Sequence, residues 1–284
     1  MERNENEMTT SVQPGTLDPR PAGEWRGVDL GTRTVSYTER DAILYALAVG
    51  APATDLELVL EDRLRVLPTF ALTLAQWAPD ALGSQGGFDT LRSVHGSQHM
   101  RVRKALPRNG ELTMSATVAE VWDKGAAAVF DIRVESDYFE ATWSIFAPGS
   151  GGFGGDRGPA KQPAPQGEPN RSLVASTFET QAALYRLLGD HHHIHIDPEA
   201  AAEIGQPRPI MHGLCTLAAA TLPLAAAVGA HPADLVELSG RFAAPAFPGD
   251  QLAVDAWDEA PGAMAFEVRS AQASVISGGH AVFG

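Results

Sequence analysis

The sequence predicts an α+β protein built from two copies of one unit, each a helix laid against an antiparallel sheet. Three observations carry that reading. The chain of 284 residues is 44% hydrophobic and 20% charged, the balance of a globular protein with room for two units of common domain size. A stretch from Pro148 to Arg171 is crowded with glycine and proline, among them Gly149, Gly151, Gly152, Gly154, Pro159, Pro163 and Pro165, and holds few apolar side chains. On either side of it, features recur about 140 residues apart: Tyr45 and Tyr185, the turns at Pro68 and Pro209, and Arg101 and Arg241. The segment Ala105–Leu112 likewise matches Ala246–Leu252 with one residue dropped.

The elements follow in order. Thr38 caps a helix running to about Val49, and a second helix starts near Pro68 through Phe70, Leu72, Leu74 and Trp77. Alternating patterns and turns such as Asp123-Lys124-Gly125 predict strands over residues 94–104, 111–122, 126–135 and 138–147. After the Gly/Pro stretch, Ser176-Thr177-Phe178-Glu179 reads as a capping box opening a helix to Leu188. A long apolar helix spans about 212–227, followed by strands over 235–244, 252–258, 264–271 and 273–283. Helices before strands in each half argue for antiparallel sheets. A helix apolar on every side argues for one enclosed by its sheet. The expected organisation is a leader over residues 1–24, a first unit over 25–147, a linker over 148–171 and a second unit over 172–284.

Composition narrows the function. With 21 basic and 35 acidic residues the net charge is −14, and no basic block offers a surface for nucleic acid or an anionic membrane. Cys215 is the single cysteine, so the chain cannot form an internal disulfide or a thiolate metal cluster. The polar start, with Glu2, Glu5 and Glu7, lacks the pattern of a signal peptide, and a cytoplasmic location is expected. The apolar run from Ile210 to Val228 contains His212, Thr216, Thr221 and Pro223, which favours a buried helix over a membrane span. The glycines of 149–155 are not followed by Lys-Ser/Thr, so they do not form a phosphate loop. Trp77, Trp122, Trp143 and Trp257 are scattered as core or interface residues are.

Chemistry concentrates in Tyr185–Pro198, where Asp190, His191, His192, His193, His195 and Asp197 fall within eight residues. Three readings compete: a solvated polar loop, a metal site, and acid–base catalysis by Asp190 and His195. Three adjacent histidines converge poorly on one ion. A carboxylate and an imidazole can share one water, one group taking its proton while another proton reaches the substrate. Downstream, Pro209-Ile210-Met211-His212-Gly213 enters the apolar helix at a glycine. A helix start offers unpaired N–H groups, and a glycine lets a ligand oxygen come close, so Gly213 is a candidate oxyanion-hole donor; it could equally serve helix packing alone.

These two segments together resemble the MaoC-like hydratases, in particular the duplicated enoyl-CoA hydratase 2 group. The motif Tyr-x-x-Ser/Thr-Gly-Asp-x-Asn-Pro-x-His falls on Tyr185–His195, with Leu188, His192 and His193 replacing the family's hydroxyl, Asn and Pro. Tyr37–Asp41, Val66–Phe70 and Val94–Gln98 look like that group's non-catalytic half. The resemblance covers about residues 25–284. It implies a double hotdog fold, with Asp190, His195 and Gly213 catalytic in the second repeat and an acyl pocket in the first. It implies substrate contacts at His95, Gly96, His192 and His212. It implies reversible hydration of a trans-2-enoyl-CoA to a (3R)-3-hydroxyacyl-CoA, a homodimer, an acyl-CoA or acyl-carrier-protein substrate, and no metal or other cofactor, since the thioester itself makes C3 electrophilic. A dehydratase for fatty-acid, polyketide or sterol thioesters, a thioesterase and a non-catalytic partner subunit are the rival readings.

Overall fold

A computed structural model describes residues 20–160 and 164–284 of the chain. Ten strands form one antiparallel sheet in the order β1-β3-β4-β5-β2-β7-β10-β9-β8-β6. The first half supplies β1 (Asp29–Tyr37), β2 (Val94–Val102), β3 (Gly110–Asp123), β4 (Ala127–Ser136) and β5 (Phe139–Pro148). The second supplies β6 (Arg171–Ser176), β7 (Leu235–Phe242), β8 (Gln251–Ala260), β9 (Ala263–Arg269) and β10 (Ser274–Phe283). Read inward from either edge, the order is the same, so each strand has a counterpart in the other half and the halves join where β2 pairs with β7. The duplication and the double hotdog architecture expected from the sequence are therefore present, and the eight strands expected from alternation lie within a few residues of their places.

Two strands escaped the sequence reading. The edge strands β1 and β6 each pair on one side only, with β3 and β8. Their outer residues are largely exposed, so neither shows the alternation of the inner strands.

Among the described residues there are seven α-helices. The first, α1 (Glu39–Ala48), starts at Thr38 as expected, the Thr38 side chain and Asp41 forming a reciprocal cap. A single turn, α2 (Leu56–Val59), follows. The helix expected from Pro68 is split into α3 (Phe70–Leu74) and α4 (Trp77–Ser84). Pro79 has no N–H for the Ala75 carbonyl, and Ala78 N donates to that carbonyl instead, at 3.1 Å. In the second half, α5 (Gln181–Tyr185) and α6 (Pro198–Glu203) precede the central helix α7 (Gly213–Ala227). The expected capping box at Ser176–Glu179 does not form: Ser176 closes β6, Thr177 Oγ1 donates to Asp250 O at 2.8 Å, and α5 begins without a side-chain cap.

α7 is enclosed as its composition requires. Leu214, Cys215, Thr216, Leu217, Ala218, Ala219, Ala220 and Thr221 are all buried, and the hydroxyls of Thr216 and Thr221 donate to the His212 and Ala218 carbonyls. No helix among the described residues is long and apolar enough to cross a membrane.

The expected linker of 148–171 falls between the end of β5 at Pro148 and the start of β6 at Arg171. Of the leader, residues 1–19 lie outside the described residues. Ala22–Trp25 form a short 3₁₀ turn whose Trp25 side chain is buried in the core. Of the linker, 161–163 lie outside the described residues, and the part after Pro148 is docked on the first half. Asp123 accepts from the N–H groups of Gly125, Gly152 and Gly154 at 2.8, 3.0 and 2.8 Å, and Phe153 packs against the core. Those N–H groups, led by Gly152's, hold the Asp123 carboxyl down at about 2. Gly151 lies against the backbone, where a Cβ would sit 2.3 Å from Gly125 O. A carboxylate bonded by three N–H groups keeps the segment in place without apolar side chains. Asp123→Ala should leave the sheet's circular dichroism unchanged but lower Tm and open 149–158 to limited proteolysis; equal cleavage rates in both proteins would contradict the clasp.

Candidate active site

The loop between α5 and α6 carries the expected acid–base pair. After α5 the chain makes a 3₁₀ turn over Arg186–Leu188 and reverses at Gly189, whose φ of 141° favours glycine. Asp190 then folds onto its own loop, Oδ1 accepting from His192 N at 3.1 Å. A second 3₁₀ turn, His193–His195, brings the His195 ring inward, and Asp197 caps α6 through Glu199 N at 2.9 Å. The loop is strapped to the segment that enters α7. Ile210 N donates to Ile194 O at 3.1 Å, and His195 Nδ1 donates to Ile210 O at 2.9 Å.

His212, just before α7, lies face to face with His195, ring centroids 3.6 Å apart and planes 25° apart. Its Nε2 donates to the Asp190 carbonyl at 3.2 Å. One carboxylate oxygen of Asp190 and one ring nitrogen each of His195 and His212 lie within 4.8 Å of one another. Underneath, Tyr185 packs on His212 at 4.7 Å and shares a 2.9 Å hydrogen bond with Thr73 of the first half. The floor of the site therefore spans both halves.

The charge states follow from burial. Burial pushes the Asp190 carboxyl up, but His212, His195 and the His192 N–H outweigh it, leaving the carboxyl below its usual range. Burial lowers His195 against the opposing pull of Asp190, so the imidazole is neutral at neutral pH. With Nδ1 donating to Ile210, its Nε2 is an acceptor. His212 is lowered to about 3, by burial first and then by His195. At neutral pH the pair is thus a carboxylate and a neutral imidazole, both able to accept a proton.

Gly213 is the first residue of α7, so its N–H has no partner within the helix. A Cβ there would lie 3.0 Å from the Phe242 ring, a close contact that the ring would have to shift to relieve. On the far side of Phe242 stands His95, 4.7 Å away edge-on, its Nε2 bonded to Ser97 O at 3.1 Å. Burial lowers His95 to about 4. Gly96 sits at an irregularity in the β2–β5 register between His95 and Ser97.

Asp190, His195, His212 and the start of α7 are thus brought together, with His192 6.3 Å from His195 between ring centroids. His212, expected as a substrate contact, is 2% exposed, with its Nε2 on the Asp190 carbonyl. His191 and His193 are exposed and are not part of the cluster formed by Asp190, His195 and His212.

The first-half counterparts of Asp190 and His195 are Gly50 and Asp55. Asp55 borders a cavity of about 770 Å³ with Leu58, Leu222 and His231. His231 Nε2 stands 3.8 Å from the Asp55 carboxylate, but His231 Nδ1 accepts from Ala233 N, which fixes the proton on Nε2 and removes that ring as a base.

Residues 160–278 match the MaoC-like domain, and residues 35–149 match the MFE-2 hydratase 2 N-terminal domain. The chain belongs to the MaoC-like dehydratase family. It is 36% identical over 252 residues to the 3-hydroxyacyl-thioester dehydratase Y of Mycobacterium tuberculosis, the match covering 83% of this chain and 87% of that one. It is 34% identical over 257 residues to the peroxisomal enoyl-CoA hydratase 2 of Arabidopsis thaliana, covering 79% and 82% of the two. A MaoC-like dehydratase from Phytophthora capsici superposes with a TM-score of 0.81 at 26% identity, over 91% of this chain and 96% of that one.

In this MaoC-like dehydratase, sequence reasoning missed Asp80. It belongs to α4 of the first half, more than a hundred residues from Asp190, and no motif joins them. Its carboxyl is raised to about 6, by desolvation first and then by the charge of Asp190, against the opposing Gln76 and Arg33; the residue is exposed, so solvent screens that load and its effect on stability is small. A carboxyl raised in the folded state contributes stability below its ordinary value near 4 and loses it as pH rises through about 6. Asp80→Asn should therefore raise Tm at pH 7.5, with the gap closing toward pH 4. A gap independent of pH would show that Asp80 feels no such load.

Proposed function

We propose that the chain hydrates trans-2-enoyl-CoA thioesters to (3R)-3-hydroxyacyl-CoA thioesters and catalyses the reverse dehydration at the same site. The observation that carries this is the facing of two acceptors, the Asp190 carboxylate and His195 Nε2, beside the unused N–H at the start of α7. Two acceptors hold one water by both its protons, with an oxygen lone pair free for attack. The relatives named as an enoyl-CoA hydratase and a 3-hydroxyacyl-thioester dehydratase support the substrate class.

The steps balance without an outside reagent. As the water oxygen bonds to C3, its proton passes to the Asp190–His195 pair and the C2=C3 electrons move onto the thioester oxygen. The Gly213 N–H, at the positive end of α7, stabilises that enolate oxygen. The pair then returns the proton to C2 from the same face. His95, Gly96 and His192 border the site and are proposed to contact substrate; His212 holds the Asp190 backbone and the His195 ring.

The acyl chain is proposed to run toward the first half. Leu67, Phe70 and Leu72 are buried in the core, and the less buried Trp77 and Asp80 of α4 are proposed to border the chain. Asp190→Asn and His195→Gln should each lower kcat by at least about 10²-fold with folding intact, and the double variant should lose little more, since the pair acts as a unit. The assay follows loss of enoyl-thioester absorbance with crotonyl-CoA and then with longer and ring-bearing enoyl-CoAs. Near-normal kcat in folded Asp190→Asn would remove the assignment. Release of free CoA from a saturated acyl-CoA would replace it with a thioesterase.

A further inference from the structure

The side chains of Asp190, His195 and His212 each keep an acceptor atom. The Asp190 carboxylate contributes oxygens. His195 has Nδ1 committed to the Ile210 carbonyl at 2.9 Å, which leaves the lone pair of Nε2. His212 has Nε2 committed to the Asp190 carbonyl at 3.2 Å, and its Nδ1 is buried with no hydrogen-bond partner in a residue only 2% exposed. One ligand atom from each of the three lies within 4.8 Å of the other two.

We infer that Asp190, His195 and His212 form a binding site for a borderline divalent transition ion, of which Zn²⁺ is the probe, and that the ion blocks the reaction by occupying the lone pairs the water needs. Two imidazoles and one carboxylate suit Zn²⁺ and its neighbours rather than Mg²⁺ or Ca²⁺, which take oxygen ligands. The outer contacts favour it too. A metal-binding histidine characteristically has its other ring N–H held by a carbonyl or carboxylate, and both rings here meet that condition. Three protein ligands leave a fourth position for water, as in open zinc sites.

The spacing sets a condition. Ligands about 2.1 Å from a tetrahedral ion lie roughly 3.4 Å apart. The widest pair must close by up to about 1.4 Å, and the stacked rings of His195 and His212 must splay. His195 is buried and held by Ile210, so the movement falls on the 3₁₀ turn over His193–His195 and on half-buried Asp190. The exposed His191 and His193 stand outside the cluster and compete for the same ions only as separate surface imidazoles.

The inhibition rests on the proposed hydratase reading, whereas binding does not, so the two are measured apart. Chelator-treated protein is titrated with Zn²⁺ by calorimetry, and with Co²⁺ by visible absorption, whose bands report four-coordination. The expected result is one ion per chain, at least about 10-fold weaker binding in Asp190→Asn and in His212→Phe, and unchanged binding in a His191→Ala/His193→Ala variant. In the same preparation, turnover of crotonyl-CoA should fall as the ion binds and return with chelator, and chelator alone should never lower it. No stoichiometric binding, or binding lost in the His191→Ala/His193→Ala variant and kept in Asp190→Asn, overturns the site. Binding without loss of turnover, or activation by Zn²⁺, overturns the blockade. If the ion-free protein is inactive, the hydratase reading fails while calorimetry still decides the metal site.

Discussion

Backbone pairing between β2 and β7, with Ser97 opposite Arg241 and Arg101 opposite Glu237, turns two five-stranded sheets into one. Everything at the candidate site depends on that seam. It sets Tyr185 of the second half against Thr73 of the first, and it brings α4 near enough for Asp80 to feel the charge of Asp190. Neither half alone has a complete floor for the site. On the outer face, Glu237 joins His99 and Arg101 across the same seam at 3.3 Å each, contacts exposed enough to add little stability but well placed to fix register.

Enclosure of α7 is the second constraint. A helix buried from Leu214 to Thr221 cannot turn to solvent at its start, so the chain must enter it through a segment that is itself tied down. Met211 N bonds to Ala246 O at 2.8 Å, and Ile210 is paired in both directions with the loop that carries Asp190 and His195. The same bonds that admit the helix into the core orient the imidazole of His195. Packing and chemistry share one set of contacts here, which is why the loop can be mostly exposed and still hold its inner side chains.

Most of the fold was legible because its signals are local. Alternation gave the eight inner strands, Thr38 and Asp41 gave the start of α1, and unbroken apolarity gave α7. The failures are also physical. β1 and β6 pair on one side only, Pro79 splits a helix that composition favours, and Ser176–Glu179 has the residues of a capping box inside a strand end and turn. At the site, the loop and the helix start were readable as motifs, since each lies within a short stretch. The burial of His212 and the approach of Asp80 were not, because both arise from contacts between elements far apart in sequence. The Gly/Pro segment misled for a different reason: glycines poor in packing surface are rich in accessible N–H groups, and Asp123 uses them.

The clasp at Asp123 has a consequence for inheritance. Two separate identical subunits would carry every mutation twice, so a change that removed an acid–base pair from one site would remove it from both. Here the two repeats are encoded separately yet remain joined, with the tether fastened to one of them through Gly152 and Gly154. Each repeat is guaranteed its unlike neighbour and can drift alone. Gly50 and Asp55 at the positions of Asp190 and His195 are what such freedom leaves behind: one repeat keeps a carboxylate and an imidazole together, and the other does not.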